Sequence, residues 1–335
     1  MQKRTITVVG AGITGLWQAL LQARRGHAVR LVEKSSDPFV DAASAYAGAM
    51  LGPFCETEHY APVIRDLGLK SIGLWRDAFP GTILNGTLVV AAARDRSEID
   101  HFARLTEGHE RVSEAAIAAL EPDLEGRFTD GLFFAEEGHV APRPAMRFLL
   151  DELQRSGVEL VFGQEWIGPA SADEIVIDCR GLGARDQLKD LRGVRGERVI
   201  VRTREVTFRR PVRLLHPRHS LYVVPWDEGL FMVGATVIES DDAGPITVRS
   251  ALELLSKLYA LHPAFGEAEI VEAAAGVRPA FADNVPKVIV RGQTIYVNGL
   301  YRHGFLLAPA LAELVDGYLQ TGAVDNRVFV VEPGA

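Results

Sequence analysis

The chain has 335 residues, of which 47% are hydrophobic and 24% are charged, and its formal net charge is −8. A chain of this length is expected to form about two domains, and its ordinary apolar and charged fractions exclude disorder or a fibrous repeat as the main state. The acidic excess argues against a broad nucleic-acid-binding or anionic-membrane surface, because such a surface needs clustered basic charge. We therefore expect a globular protein with no nucleic-acid partner.

Two cysteines, Cys55 and Cys179, are too few for a disulfide framework or a tetrahedral zinc site. Their scarcity favours a reducing compartment, the cytoplasm. Glycines interrupt the apolar run that follows Lys3 and Arg4, which argues against a signal peptide. No stretch reaches the roughly 18 apolar residues that a membrane-spanning helix needs, so we expect no membrane span.

The amino-terminal segment alternates strand-like and helix-like stretches around a glycine-rich turn. Residues 5–9 are all β-branched, and residues 28–32 are apolar except for Arg30, which predicts two buried parallel strands. Residues 10–15 read Gly-Ala-Gly-Ile-Thr-Gly, and apolar residues then recur at helical spacing until Gly26. The pattern predicts a strand, a tight turn, a helix and a second strand.

Each glycine of this turn has a physical role in binding a dinucleotide. Gly10 permits the tight turn, Gly12 lets the backbone approach a pyrophosphate, and Gly15 lets the helix pack closely on the sheet. The helix N-terminus stabilises phosphate charge. Glu33 follows Gly15 by 18 residues and ends the second strand, where an acidic side chain accepts hydrogen bonds from ribose hydroxyls. The alternative is a glycine-rich turn in another kind of α/β domain.

The segment after Glu33 bears on which dinucleotide is bound. A nicotinamide-binding domain would continue with more alternation of strands and helices. Residues 41–53 instead consist mostly of alanine, glycine and serine, which lets the backbone lie against a flat ligand. A flexible surface loop is the alternative, although such loops are usually more polar.

The rest of the chain divides into helix-like and strand-like segments. We predict helices over 60–75, 97–106, 110–120, 142–156, 247–261 and 305–319. We predict strands over 84–93, 131–135, 158–162, 174–178, 221–225, 230–235 and 295–297, of which 221–225 and 230–235 form an antiparallel pair. Strands at both ends of the chain enclose this antiparallel stretch, which predicts two discontinuous domains in an α/β fold.

The first domain comprises residues 1–80, 138–197 and 276–335 and binds the dinucleotide. The second, an α+β domain, comprises residues 81–137 and 198–275 and covers the reactive ring of the dinucleotide.

Two arginines and a tyrosine stand in distinctive contexts. Arg278 lies between a valine and a proline in a predicted turn over 276–279, and Arg302 directly precedes the last helix. A guanidinium is a rigid fork suited to a carboxylate, although a surface or ion-pair role is open for each arginine taken singly. The helix that begins near Phe305 would present N–H groups to an electron-rich ring edge. Tyr222 alternates on a strand, where core packing is the alternative to a site role.

Other reactive residue types lack a supporting pattern. His139 and His303 have no partner at metal-ligand spacing, so we expect structural or exposed histidines and no metal site. Cys55 and Cys179 are interpreted as small packing residues. No Gly-x-Ser-x-Gly elbow and no Walker loop occurs, so hydrolase and kinase interpretations lack their starting motif.

Taken together, several stretches resemble one known family in the expected order. They are residues 8–15 with Glu33, 44–53, 139–142, 194–197, 222–225, 234–236, 276–279 and 299–309. In these stretches the chain resembles the flavin amine oxidases of the D-amino-acid oxidase superfamily, most closely the glycine oxidases of thiamine biosynthesis. The glycine motif is generic, whereas the segments around Arg278 and Arg302 are specific in combination.

The resemblance implies a Rossmann-like FAD-binding domain of the glutathione-reductase type and a substrate domain built on an antiparallel sheet. It implies FAD as the cofactor, bound noncovalently because no cysteine is expected near Arg302. Arg278 would hold the carboxylate of the substrate, with Tyr222 beside it and Arg302 lining the same site. The implied cofactor contacts are Gly10, Gly12, Ile13, Thr14, Gly15, Glu33, Lys34, Ala43, Ser44, Gly48, Ala49, Met50, Trp166, Gly181, Arg302, His303, Gly304, Phe305 and Leu306.

The resemblance further implies an oxidase of a small amino acid, with glycine favoured, that forms the imine and reduces O2 to H2O2 for thiazole formation. Oxidation of sarcosine or a D-amino acid, or electron transfer to a quinone, stays open within the same superfamily. A flavin-binding regulatory protein without turnover is the alternative of a different class. The oligomeric state is also open, including a homo-oligomer.

Overall fold

The structure is a computed structural model that describes residues 3–56, 61–168, 173–217 and 220–332. The strands are β1 (Thr5–Val9), β2 (Ala28–Glu33), β3 (Met50–Leu51), β4 (Thr87–Ala91), β5 (Glu110–Ser113), β6 (Asp130–Phe134), β7 (Gly138–His139), β8 (Glu159–Phe162), β9 (Ile175–Asp178), β10 (Arg192–Arg202), β11 (Val212–Leu215), β12 (Leu221–Pro225), β13 (Leu230–Gly234), β14 (Ile238–Glu239), β15 (Glu269–Ala280), β16 (Lys287–Arg291), β17 (Thr294–Asn298) and β18 (Phe329–Val331). The α-helices are α1 (Ile13–Arg24), α2 (Pro62–Ala78), α3 (Ser97–Leu105), α4 (Glu114–Leu120), α5 (Pro142–Arg155), α6 (Val248–Leu261) and α7 (Gly304–Thr321).

The first sheet has the strand order β18-β16-β17-β9-β1-β2-β8. Its neighbouring strands are parallel, except that β16 and β17 are antiparallel. The strands β1 and β9 are almost wholly buried, and α1 packs against both α5 and α7 over the sheet. Such a buried parallel sheet with covering helices is the α/β architecture that the sequence predicts.

The second sheet has the order β14-β10-β13-β12-β11-β4-β6-β5, with β15 paired alongside β10. Alternate residues of its strands, such as Val199, Val223 and Val233, join Leu254 and Leu258 of α6 in a second hydrophobic core. Because side chains alternate along a strand, the residues between them face the opposite way, towards the first sheet. The predicted antiparallel pair β12 and β13 is confirmed.

Two local predictions are wrong. Residues 110–113 form β5 rather than the start of a helix, because Val112 is buried and pairs with Gly131 of β6. The helix begins only after Ser113, whose hydroxyl accepts a hydrogen bond from the N–H of Ala116. Residues 276–279 belong to β15 and not to a turn. Pro279 is tolerated there because β15 is an edge strand of the second sheet, paired with β10.

The division into two domains and the domain boundaries stay predictions. The proposed limits at residues 197 and 276 fall inside β10 and β15, which pair with each other in the second sheet. Within the described part of the chain, no helix is long and apolar enough to cross a membrane.

Candidate active site

A cavity of about 780 Å³, here called the central cavity, lies between the two sheets. On one side it is lined by residues at the carboxyl ends of β1, β2 and β17, and on the other by residues of β10, β12, β13 and β15. The crevice outside the carboxyl ends of parallel strands is where open α/β sheets bind ligands.

The structure brings nearly all of the predicted site residues to this cavity. Gly15 is the exception, since it does not line the cavity. A Cβ on Gly15 would overlap the carbonyl oxygen of Gly10, so this glycine lets the helix pack on the turn. The predicted residues that line the cavity are Gly10, Gly12, Ile13, Thr14, Glu33, Lys34, Ala43, Ser44, Gly48, Ala49, Met50, Trp166, Gly181, Tyr222, Arg278, Arg302, His303, Gly304, Phe305 and Leu306.

The glycine turn has the geometry of a phosphate site. Gly10 has a φ of +98°, and a Cβ there would lie 2.7 Å from the carbonyl oxygen of Cys179, so only glycine fits. Gly12 is the N-cap of α1 and offers no side-chain acceptor to the first turn of that helix. The N–H of Ile13 donates to Oγ of Ser44 at 3.1 Å, which holds the small-residue segment beside the helix N-terminus. These features fit a pyrophosphate.

The carboxylate of Glu33 is fixed at the end of β2. Its Oε2 accepts a hydrogen bond from the N–H of Ala11 at 2.8 Å, and its Oε1 accepts one from the N–H of Ser35 at 3.1 Å. Each carboxylate oxygen has a further lone pair, so the group can still accept hydrogen bonds from a ribose in the cavity.

Arg198, which sequence reasoning missed, braces the small-residue segment against the second sheet. Its side chain is 2% exposed, and Nε donates to the carbonyl oxygen of Tyr46 at 2.9 Å. Its Nη2 lies 2.9 Å from Oε1 of Glu272, which also forms a bidentate ion pair with Arg143. Burial lowers the pKa of Arg198, and Glu272 opposes that effect. Arg198 therefore fixes the position of one wall of the cavity.

Arg278 projects from β15 onto the cavity face of β10. A Cβ at Gly196 would overlap its Nη2, so the guanidinium lies against bare backbone. Its Nη1 donates to the carbonyl oxygen of Thr236 at 3.3 Å. Thr236 is itself held by two hydrogen bonds with Glu197. The N–H of Glu197 donates to Oγ1 of Thr236 at 2.9 Å, and the N–H of Thr236 donates to the carbonyl oxygen of Glu197 at 3.1 Å. The guanidinium is thereby positioned at the cavity by backbone groups.

Arg302 and His303 share one partly buried partner, Glu56. Oε2 of Glu56 lies 2.9 Å from Nε2 of His303, and Oε1 lies 3.5 Å from Nη2 of Arg302. Burial would raise the pKa of Glu56, but Arg302 and His303 outweigh it and hold that pKa well below its usual value. His303 is 2% exposed and lines the cavity, so of the two predicted alternatives, a structural or an exposed histidine, the exposed one does not apply.

Both cysteines are buried and free. Cys179 lines the cavity beside Gly10, whereas Cys55 directly precedes Glu56 and so lies nearer Arg302 than the sequence suggested. Burial, together with the neighbouring charge of Glu137, raises the pKa of the Cys55 thiol well above its usual value. A thiol held in its neutral form is a poor nucleophile.

Glu137 holds the loop that carries Glu56. It is fully buried, and its Oε1 accepts hydrogen bonds from the backbone N–H groups of Phe54 at 2.9 Å and Cys55 at 2.7 Å. Burial raises the pKa of Glu137 to about 7, although those hydrogen bonds oppose the shift. Glu137 follows Glu136 in the short turn between β6 and β7, and no sequence motif there signals this role.

A family model described as FAD dependent oxidoreductase matches residues 5–316 of the chain. The chain belongs to this family. The protein is thus an FAD-dependent oxidoreductase, and the glycine turn, the fixed Glu33 carboxylate and the helix N-terminus of α1 fit that cofactor.

Known relatives resemble the chain over most of its length. A Rhizobium etli protein, provisionally named thiamine biosynthesis oxidoreductase ThiO, is 51% identical over 309 residues, which cover 92% of this chain and 94% of the relative. Glycine oxidase of Geobacillus kaustophilus is 25% identical over 92% of this chain and 91% of its own. The solved glycine oxidase of Bacillus cereus superposes with a TM-score of 0.81 at 22% identity and covers 97% of both chains, which shows a shared fold.

Proposed function

We propose that the protein oxidises a small amino acid, with glycine favoured, to the corresponding imine and reduces O2 to H2O2. The observation that carries this proposal is the placement of Arg278, whose guanidinium is held at the central cavity, which the glycine turn also lines. A guanidinium fixed by backbone contacts offers a planar pair of donors to a carboxylate. The names of the Rhizobium etli and Geobacillus kaustophilus relatives agree with this reaction class.

The proposed role of the protein groups is to bind and orient the substrate. FAD, when bound, supplies an acceptor for the hydride from the substrate Cα and passes the two electrons to O2. Arg278 would bind the substrate carboxylate through two N–H groups, and the carbonyl of Thr236 keeps the guanidinium from rotating. Tyr222 lines the same cavity from β12. Orientation of this kind supplies much of the rate enhancement in such reactions.

We propose that FAD is held noncovalently. The residues 10–15 would bind the pyrophosphate, Glu33 the ribose, Trp166 and Gly181 the adenine end, and residues 302–306 the flavin. The neutral Cys55 thiol disfavours a thioether. Acid precipitation should release all flavin into the supernatant, whereas flavin retained in the pellet would contradict noncovalent binding.

The proposal extends to pathway and location. The name of the Rhizobium etli relative supports a role in thiamine biosynthesis, where the imine would serve thiazole formation in the cytoplasm. The first sheet would form an FAD-binding domain and the second sheet a substrate-binding domain.

An oxygen-consumption screen of the purified holoenzyme tests the proposed reaction. Glycine, sarcosine and D-amino acids are compared, and H2O2 is measured as product. Glycine should give the highest kcat/KM. Flavin bleaching by glycine without oxygen, but no oxygen uptake, would indicate another electron acceptor such as a quinone. A holoprotein whose flavin no amino acid reduces would contradict the proposal and indicate a flavin-binding regulatory protein.

A further inference from the structure

Met232 lies on the cavity face of β13 between two glycines. Its neighbours Phe231 and Val233 belong to the second hydrophobic core, so the Met232 side chain points the other way, and it lines the central cavity. A Cβ on Gly48 would overlap Cε of Met232, and a Cβ on Gly234 would lie 3.1 Å from its Sδ. The thioether is therefore packed against the backbone of both glycines.

The ring of Tyr222 closes the same space from the neighbouring strand. Tyr222 pairs with Gly234 across β12 and β13. A Cβ on Gly48 would lie 2.9 Å from Cε2 of Tyr222, and one on Gly234 would lie 3.5 Å from its hydroxyl oxygen. Met232 and Tyr222 thus fill adjacent parts of one hollow that the two glycines create.

This hollow lies one step along the sheet from the guanidinium of Arg278. The guanidinium rests on Gly196, which precedes Arg198 by two residues in β10, and Arg198 pairs with Gly234. Two residues of a strand span about 7 Å. When the guanidinium binds the carboxylate of an amino acid, the side chain on Cα reaches a comparable distance from the guanidinium. This side chain would therefore meet the hollow that Met232 occupies.

Resting on the proposed function, we propose that Met232 sets the upper size limit for the side chain of the amino acid substrate. Met232 is fully buried, and its thioether has the backbone of Gly48 and Gly234 on two sides, which limits where this side chain can move. Forcing extra methylene groups into a filled site is destabilising. The site accordingly admits glycine and amino acids with very small side chains and excludes leucine-sized ones.

The test compares Met232→Ala with Val233→Ala, the adjacent residue on the opposite face of β13, in the purified holoenzyme. The readout is the ratio of kcat/KM for leucine, tested as each enantiomer, to kcat/KM for glycine. Met232→Ala should raise this ratio about tenfold or more for at least one enantiomer, because a single methylene in an apolar pocket discriminates by about tenfold or more. Val233→Ala should leave the ratio unchanged. A ratio unchanged in Met232→Ala overturns the proposal.

A binding measurement separates this proposal from the proposed reaction. The flavin absorption of each holoenzyme is titrated with acetate and with 4-methylpentanoate, which carry the carboxylate without the amine. Met232→Ala should strengthen 4-methylpentanoate binding relative to acetate about tenfold or more, even if wild type oxidises no amino acid.

Equal ratios of dissociation constants in wild type and variant, or binding of neither acid, would overturn the size limit. Wild type that oxidises leucine as well as glycine would also overturn it and leave the proposed reaction standing. If Met232→Ala does not retain FAD, Met232→Val makes the same comparison with a smaller shift.

Discussion

The guanidinium of Arg278 occupies the space that a side chain at residue 196 would need. The two residues lie on the paired strands β15 and β10, where Arg278 is opposite Val194 and Gly196 is opposite Gly276. The guanidinium thus extends two residues along β10, from Val194 to Gly196, and rests on the backbone there. A glycine at 196 is the reason that Arg278 reaches the cavity in a fixed orientation.

Gly196→Ala should displace this guanidinium and leave the fold intact, because the overlapping atoms are the far end of a flexible side chain. We expect KM for glycine to rise about 10- to 100-fold, since misplacement by about 1 Å can cost a factor of this size. Steady-state kinetics and thermal denaturation measure the two effects. Gly317→Ala is the matched control, because a Cβ there has no neighbour within 4 Å. Equal KM values in the two variants would show that contact with residue 196 does not position Arg278.

Glu33→Gln should weaken FAD binding about tenfold or more. The change removes the negative charge that strengthens the hydrogen bonds from the ribose. The carboxylate also accepts hydrogen bonds from the N–H groups of Ala11 and Ser35, and the amide NH2 of glutamine would face one of these donors without an acceptor. Titration of apoprotein with FAD gives the dissociation constant. The ratio of glycine to sarcosine oxidation should stay as in wild type once FAD saturates. Unchanged FAD affinity would show that Glu33 does not bind the ribose.

Arg198→Ala should lower the free energy of unfolding by about 1.5–3 kcal/mol and weaken FAD binding. The variant loses a charged hydrogen bond to Tyr46 and leaves Glu272 without one of its two arginines. Arg143→Ala is the matched control, because Arg143 also pairs with Glu272 and also lies over the Tyr46 ring, at 5.9 Å, but is 49% exposed. The hydrogen bond to the carbonyl oxygen of Tyr46 comes from Arg198. The control should keep wild-type FAD affinity. If the two variants weaken FAD binding equally, Arg198 is not a brace of the cavity wall.

Glu137→Gln should change how stability depends on pH. Burial raises the pKa of Glu137 to about 7, against an ordinary value of 4.5. At a pH between these two pKa values, Glu137 keeps its proton in the folded chain and loses it in the unfolded chain. The free energy of unfolding of wild type therefore falls as pH rises. Glu137→Gln has no proton to lose at this position. As the pH rises from 4.5 to 8, its free energy of unfolding should therefore increase by up to about 3 kcal/mol relative to that of wild type. Denaturant unfolding at both pH values measures it, and parallel pH profiles would contradict a protonated Glu137.

The sequence allowed the cofactor side of the site to be predicted more fully than the substrate side. The glycine turn and Glu33 act within one contiguous strand-turn-helix-strand unit, so their roles are readable from local spacing. Arg198 and Glu137 act through partners far away in sequence, such as Tyr46 and Phe54, and neither carries a local motif. The turn predicted around Arg278 was wrong because glycine and proline usually end strands, whereas here they lie in a peripheral strand paired with β10.

The central claim is that Arg278 anchors the carboxylate of an amino acid. The most direct measurement is the kcat/KM of wild type and Arg278→Ala for glycine and for methylamine, which lacks a carboxylate. Wild type should strongly prefer glycine. Arg278→Ala should lose about 2–5 kcal/mol of that preference and still bind FAD, and Arg278→Lys should recover part of the loss because it restores charge without the bidentate geometry. Oxidation of glycine by Arg278→Ala with unchanged kcat/KM would contradict the account and make Arg302 the candidate anchor.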